Sequence, residues 1–225
     1  MTIENTFRPP SSADIPGELP PDDSVETTWQ TGQNLAFTDQ TTLDAIAGCL
    51  GYPRANSWAE AHIAADGLSE GYPQVAAAYR KLGNWLANTD RHEVEEAYTV
   101  LFDLKPQCTL DIGHHVYGEA YQRGALLAGL VHELGHMGID MGDELPDYLP
   151  TVLRLVGRLP DTEERQIFID RILAVGVGRM KKALVDTKTA WAEAVCALAD
   201  LYVAPPEELD DSLHKRIRLK VLNNA

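Results

Sequence analysis

Apolar residues recur at intervals of three and four through most of the chain, which is the spacing of one face of an α-helix. The first set, at residues 43–50, is followed at once by Gly51-Tyr52-Pro53, a sequence that ends helices. Asp90 precedes a later set and is a predicted N-cap. The later sets, each fitting 3.6 residues per turn, begin at Val75, Val94, Leu126, Ile169 and Trp191.

No segment alternates polar with apolar residues or is rich in β-branched residues, so a sheet is not expected. The pattern predicts an all-α protein, a single-domain helical bundle of about seven helices over residues 41–203. Residues 1–40 contain five prolines, seven acidic residues and one basic residue, which predicts a mostly disordered arm. Three apolar residues are expected to join its end to the bundle: Trp29, Leu35 and Phe37. Residues 204–225 are predicted to form a charged C-terminal helix or tail.

Charge narrows the range of partners. The chain has 34 acidic and 19 basic residues and a formal net charge of −15. Small soluble domains usually have a net charge of magnitude about 2–8. This argues against nucleic acid and anionic lipid and favours a cationic partner. Three widely separated cysteines, no signal peptide and no long apolar run predict a cytoplasmic protein with reduced thiols.

One motif is typical of zinc enzymes. The sequence His132-Glu133-Leu134-Gly135-His136 matches H-E-x-x-H, in which two histidines bind zinc and the glutamate activates water. The extended motif needs glycine and histidine where this chain has Ile139 and Gly142. A helical wheel also places both histidines opposite the predicted buried stripe, which consists of Leu126, Leu127, Leu130, Val131 and Leu134. We predict a solvated histidine pair, with a zinc metallopeptidase as the alternative.

The segment 144–150 combines two prolines, two carboxylates and a tyrosine between two predicted helices. Asp147 is expected to cap the following helix, with Pro150 in its first turn. This composition is sufficient for a stiff connection between helices. It also suits a binding loop, in which Glu144 and Tyr148 face a cationic peptide whose apolar part lies along a groove.

Three blocks together resemble the redox-enzyme maturation chaperones of the NarJ/TorD type, and the NarJ branch more closely. The blocks are Tyr98…Leu101-Phe102-Asp103-Leu104, Tyr117-Gly118-Glu119…Arg123-Gly124 and Glu144-Leu145-Pro146-Asp147-Tyr148-Leu149-Pro150. The resemblance covers about residues 41–200. It departs from the family at Tyr148, where histidine is common, so a proton-linked role of that position is not expected here.

The resemblance implies a cytoplasmic chaperone that is not an enzyme and binds no cofactor stably. It would bind the apo catalytic subunit of a molybdopterin-containing oxidoreductase, through an N-terminal or twin-arginine signal segment, until the cofactor is inserted. The client-binding residues that it implies are Glu144, Leu145, Pro146, Asp147, Tyr148, Tyr98, Phe102, Asp103, Tyr117 and Arg123. Tyr98 and Phe102 also lie on a helical stripe, which favours core packing. A generic helical adaptor is a further alternative.

Overall fold

A computed structural model describes residues 37–104 and 108–202. Its helices, in chain order, are α1 (Gln40–Leu50), α2 (Ser57–Leu68), α3 (Pro73–Asn88), α4 (Arg91–Tyr98), α5 (Ile112–Tyr117), α6 (Tyr121–His136), α7 (Leu149–Arg158), α8 (Glu163–Phe168), α9 (Ala174–Leu184) and α10 (Ala190–Leu201). Within these ranges there is no strand, only one isolated β-bridge. The predicted all-α class is confirmed. The predicted disorder of the N-terminal arm and the predicted C-terminal helix lie outside the described residues.

The prediction of about seven helices omits α2 and α5, for different reasons, and also α8, none of whose residues is buried. The buried face of α2 consists mainly of alanines, at positions 61, 64 and 65, which give a weak apolar signal. The second helix, α5, has only six residues, too few to show a helical period. Asp90 caps α4 as predicted, because its side chain accepts a hydrogen bond from the backbone N–H of His92 at 2.9 Å.

Two helices contain a wider turn. Helix α4 continues into a π-helical turn at Thr99–Asp103, and a second π-helical turn, Ile169–Leu173, joins α8 to α9. The uniform 3.6-residue period predicted for these segments is therefore wrong at both turns. Such turns often occur at functional sites, because the extra residue rotates the side chains that follow it. In the first turn, Phe102 is buried while Asp103 is exposed.

The core is centred on the fully buried Trp191 of α10. Its ring centroid lies 5.4 Å from that of Tyr98, 6.2 Å from Phe102 and 6.4 Å from Trp85, all in edge-to-face geometry. Such pairs add to the free energy gained by burying the rings. The core therefore fixes the end of α4 and the π-turn after it, which matters for the site described below.

The two ends of the described chain also meet. The hydroxyl of Tyr202 donates to the carbonyl of Phe37 at 2.7 Å, and the Phe37 ring packs edge-to-face on Tyr72 at 5.6 Å. The predicted contact of Phe37 with the bundle is confirmed, while Trp29 and Leu35 lie outside the described residues. The three cysteines are thiols, as predicted. Within the described ranges, no helix is both long and apolar enough to cross a bilayer.

Candidate functional site

An open cleft of ≈ 330 Å³ lies where four separate chain segments meet. These are the α1–α2 connection, the end of α4 with its π-turn, the residues just before α5, and the loop before α7. We call it the acidic cleft. Its lining residues are Tyr52, Tyr98, Phe102, Asp103, Thr109, Leu110, Asp111, Glu144 and Tyr148.

A short antiparallel bridge holds two sides of the acidic cleft together. Asp111 and Tyr148 face each other in this bridge. The N–H of Ile112 donates to the carbonyl of Asp147 at 2.8 Å, and the N–H of Leu149 donates to the carbonyl of Leu110 at 2.7 Å. Because these bonds join segments far apart in sequence, they fix the 144–148 loop against the start of α5. Asp111 and Tyr148 consequently enter the cleft from opposite sides of the bridge.

The hydroxyl of Tyr148 joins three of the four segments. It lies 2.9 Å from the hydroxyl of Tyr98 and is hydrogen-bonded by the backbone of Tyr52. Burial, followed by the neighbouring Tyr148, raises the pKa of Tyr98 far above its ordinary value, so the pair stays neutral at physiological pH. The rings of Tyr52 and Phe102 pack against Tyr98 at 5.4 and 4.9 Å. The result is an aromatic wall that is rigid and uncharged.

Three carboxylates lie on the remaining surface of the acidic cleft. Asp103 and Glu144 are exposed, and Asp111 is half-buried. Burial and the nearby carboxylates, including those of Asp111 and Asp103, raise the pKa of Glu144. None of the nine lining side chains, all within the described ranges, is a lysine or an arginine. The cleft therefore combines negative charge with the accessible rings of Tyr52 and Tyr148, a combination suited to a cation, whereas Tyr98 and Phe102 are almost fully buried behind them.

Asp147 does not have the position predicted for it. The N-cap of α7 is Tyr148, and the Asp147 carboxylate makes no cap, so that prediction is wrong; Pro150 does lie in the first turn. Asp147 is fully buried and accepts hydrogen bonds from Arg123 of α6, at 3.0 Å from Nε and 3.4 Å from Nη2. A buried carboxylate needs such a partner, since an unpaired charge in the interior is costly. The ion pair explains why Asp147 faces inwards instead of capping α7.

The structure brings together half of the residues that the resemblance implies for client binding. Tyr98, Phe102, Asp103, Glu144 and Tyr148 line the acidic cleft. Asp147 and Arg123 form the ion pair described above. Three others lie outside the lining: Leu145, which is exposed, and Pro146 and Tyr117, which are half-buried.

Four lining residues were not predicted: Tyr52, Thr109, Leu110 and Asp111. For Tyr52 there is a sequence signal, an aromatic residue in a Gly-Tyr-Pro turn where no core position is expected. For Asp111 there is none, because its place in the cleft depends on the bridge to Tyr148.

The two histidines of the H-E-x-x-H motif are exposed on α6, as the wheel predicts. Their Nε2 atoms lie 3.2 Å apart. Among the described residues, no group of three or more histidine, cysteine, aspartate or glutamate side chains is placed to hold a metal ion. The predicted buried stripe is wrong at Val131, which is 48% exposed. Of the five residues of that stripe, only Leu130 and Leu134 are buried.

The protein is all-helical over the residues that the structure describes, and its acidic cleft is lined by carboxylates and aromatic rings. The family described as nitrate reductase delta subunit matches residues 69–197, and the chain belongs to this family. The matched range includes every residue of the acidic cleft except Tyr52. The resemblance found in the sequence is confirmed, and family membership agrees with the prediction that the chain is not an enzyme.

Two curated relatives carry functional names. The chain is 29% identical over 127 residues to the nitrate reductase molybdenum cofactor assembly chaperone NarJ of Escherichia coli K12, covering 54% of this chain and 53% of that protein. It is 30% identical over 100 residues to the probable nitrate reductase molybdenum cofactor assembly chaperone NarW of the same strain, covering 43% of each. The chain thus matches about half the length of these relatives, or less.

Proposed function

We propose that the protein is an assembly chaperone for the molybdenum-containing catalytic subunit of an oxidoreductase, and that it binds the apo form of that subunit. Two relatives named as molybdenum cofactor assembly chaperones support this proposal. The observation that carries it furthest is the acidic cleft, which lies almost wholly inside the matched region. The proposed occupant is the N-terminal segment of the client, a signal segment of the twin-arginine type included.

Charge complementarity selects this occupant. A lysine or arginine of the peptide would place its cation among Asp103, Asp111 and Glu144, with its alkyl stem along the aromatic wall. Leu104 and Leu145 follow Asp103 and Glu144 directly in sequence and are exposed, at 69% and 45%. They provide apolar contacts at the rim for the hydrophobic residues that flank a cation in an amphipathic segment.

The proposed activity is binding, with no chemical step. Holding the N-terminal segment would keep the client subunit from assembling before its molybdopterin cofactor is inserted, and the chaperone itself would hold no cofactor stably. We propose the cytoplasm as the place of action, which agrees with three cysteines that form no disulfide with one another.

The test is a peptide titration with a charge-matched control. A fluorescent synthetic peptide with the N-terminal sequence of the molybdenum-containing subunit from the same organism is titrated with the protein, and anisotropy gives Kd. Glu144→Lys is expected to weaken binding about tenfold. Glu70→Lys changes the net charge equally at an exposed position that does not line the cleft, and is expected to change Kd by less than about twofold.

Each other outcome has a definite meaning. If both variants weaken binding equally, net charge and not the acidic cleft attracts the peptide. If neither does, the cleft is not the binding site. If the wild-type protein neither binds the peptide nor co-purifies with the molybdenum-containing subunit, the proposed function is wrong.

A further inference from the structure

We propose that Arg123 is a positioning residue for client recognition, because it holds Asp111 in place at the wall of the acidic cleft. The inference rests on the proposed function and deepens it. It assigns Arg123 a role without contact to the client, unlike the direct contact that the family resemblance implies. The argument comes from the shared geometry of one guanidinium and two carboxylates.

Arg123 lies between a buried and a partly exposed carboxylate. Its Nε is 3.0 Å from Asp147 Oδ2, and its Nη2 is 3.4 Å from Asp111 Oδ2. The exposed fraction of the three side chains rises in one direction, from 0% for Asp147 through 16% for Arg123 to 27% for Asp111. The three groups carry a net charge of −1, and the carboxylate nearest to solvent is that of Asp111. The guanidinium therefore compensates the charge of the buried Asp147, and the remaining negative charge lies on Asp111, at the cleft.

The planar shape of the guanidinium is essential to this arrangement. Its nitrogens point in fixed directions, so one side chain contacts both carboxylates at once. A lysine has a single nitrogen on a flexible stem. It can neutralise Asp147 but does not hold Asp111 in a defined orientation at the same time. Arg123→Lys therefore keeps the positive charge that neutralises Asp147 and removes the contact that orients Asp111.

The charges around Asp111 show what Arg123 opposes. Burial and the neighbouring Asp147 raise the pKa of Asp111, whereas Arg123 and His114 lower it. Across the cleft, Glu144 also interacts with Asp111. Asp111 thus faces two carboxylates, and the arginine counteracts their repulsion. Arg123 therefore favours the ionised form of Asp111 and, through the contact at 3.4 Å, orients its carboxylate at the cleft.

A double-mutant cycle tests this role. The same fluorescent N-terminal peptide is titrated with wild type, Arg123→Lys, Asp111→Asn and the double variant. Arg123→Lys is expected to weaken binding about fivefold when Asp111 is present and less than about twofold in the Asp111→Asn background. A purely structural role of Arg123 would weaken binding by the same factor in both backgrounds. Equal factors, or no effect in either background, overturn the inference.

A second pair of variants covers the case in which Arg123→Lys does not fold, as judged by circular dichroism. Arg123→Gln with Asp147→Asn replaces the buried ion pair by two neutral amides of similar size. It removes the link to Asp111, so the same cycle with Asp111→Asn applies and the same coupling is expected. If the wild type binds the peptide and Glu144→Lys weakens binding while neither cycle shows coupling, the inference about Arg123 fails and the proposed function stands.

Discussion

The hydroxyl of Tyr148 offers the sharpest test of the architecture, because a single oxygen atom joins three segments. Tyr148→Phe removes this oxygen and keeps the ring. Tyr98 is a residue that is only 4% exposed, and its hydroxyl then loses its partner at 2.9 Å, while the backbone of Tyr52 loses a hydrogen bond. A buried polar group without a partner costs about 1–3 kcal/mol. The free energy of unfolding is expected to fall by about that amount.

The converse variant has a smaller expected cost. Tyr98→Phe leaves the Tyr148 oxygen with its bond to the Tyr52 backbone, so the loss is that of one ordinary hydrogen bond, about 0.5–1.5 kcal/mol. In the double variant no tyrosine hydroxyl of the pair remains, so the combined cost should be less than the sum of the single costs. Urea unfolding followed by circular dichroism measures all three values.

Tyr52→Phe is the control, because it removes a hydroxyl from a half-exposed ring. Its expected effect is within about 0.5 kcal/mol. The reasoning is refuted if Tyr148→Phe costs no more than this control, or if the costs of Tyr148→Phe and Tyr98→Phe are additive. Either result would mean that the two hydroxyls do not depend on each other in solution.

Three further outcomes follow from the structure. A Cβ at Gly113 would lie 2.5 Å from Asp147 Oδ2, so Gly113→Ala should destabilise by about 1–3 kcal/mol in urea unfolding, whereas Gly135→Ala, in open space on α6, should not destabilise. Because the folded-state pKa of Glu144 is raised, its stabilising contribution is lost as pH rises through that pKa; Glu144→Gln should therefore raise Tm at pH 7 and change it little at pH 4. Protein purified without chelator should contain no stoichiometric zinc; stoichiometric zinc that is lost in His132→Ala would contradict the solvated histidine pair.

The spacing of apolar residues predicted the helices that bury large apolar side chains. It missed helices whose buried side chains are small or whose length is too short to show a period. The stripes of α1, α3 and α10 use leucine, isoleucine and aromatic residues and were correctly predicted. The buried face of α2 is formed by alanines, which helices also carry on exposed faces. The π-turns were not predicted, because the apolar residues around each turn are too few to distinguish a uniform 3.6-residue period from one that contains a single wider turn.

The candidate site was predictable only where neighbours in sequence are neighbours in space. Glu144 and Tyr148 attracted attention because the segment between them has an unusual composition. Asp111 is ordinary in its local sequence, and its importance arises from the bridge to Tyr148 and the contact with Arg123. A helical wheel or a motif describes one segment at a time, whereas Asp111 lies 37 residues from Tyr148 and 12 from Arg123 in the sequence.

The arrangement of the acidic cleft follows from the repulsion among its own charges. Asp103, Asp111 and Glu144 share one small open volume, and their mutual repulsion favours either protonation or separation of the segments that carry them. Loops alone would separate, since each can move in water at little cost. Here the Asp111–Tyr148 bridge, the tyrosine hydroxyl pair and the buried Arg123–Asp147 ion pair oppose that movement. Carboxylates held in place before a ligand arrives lose less entropy on binding, so the interactions behind the cleft contribute to affinity as well as to stability.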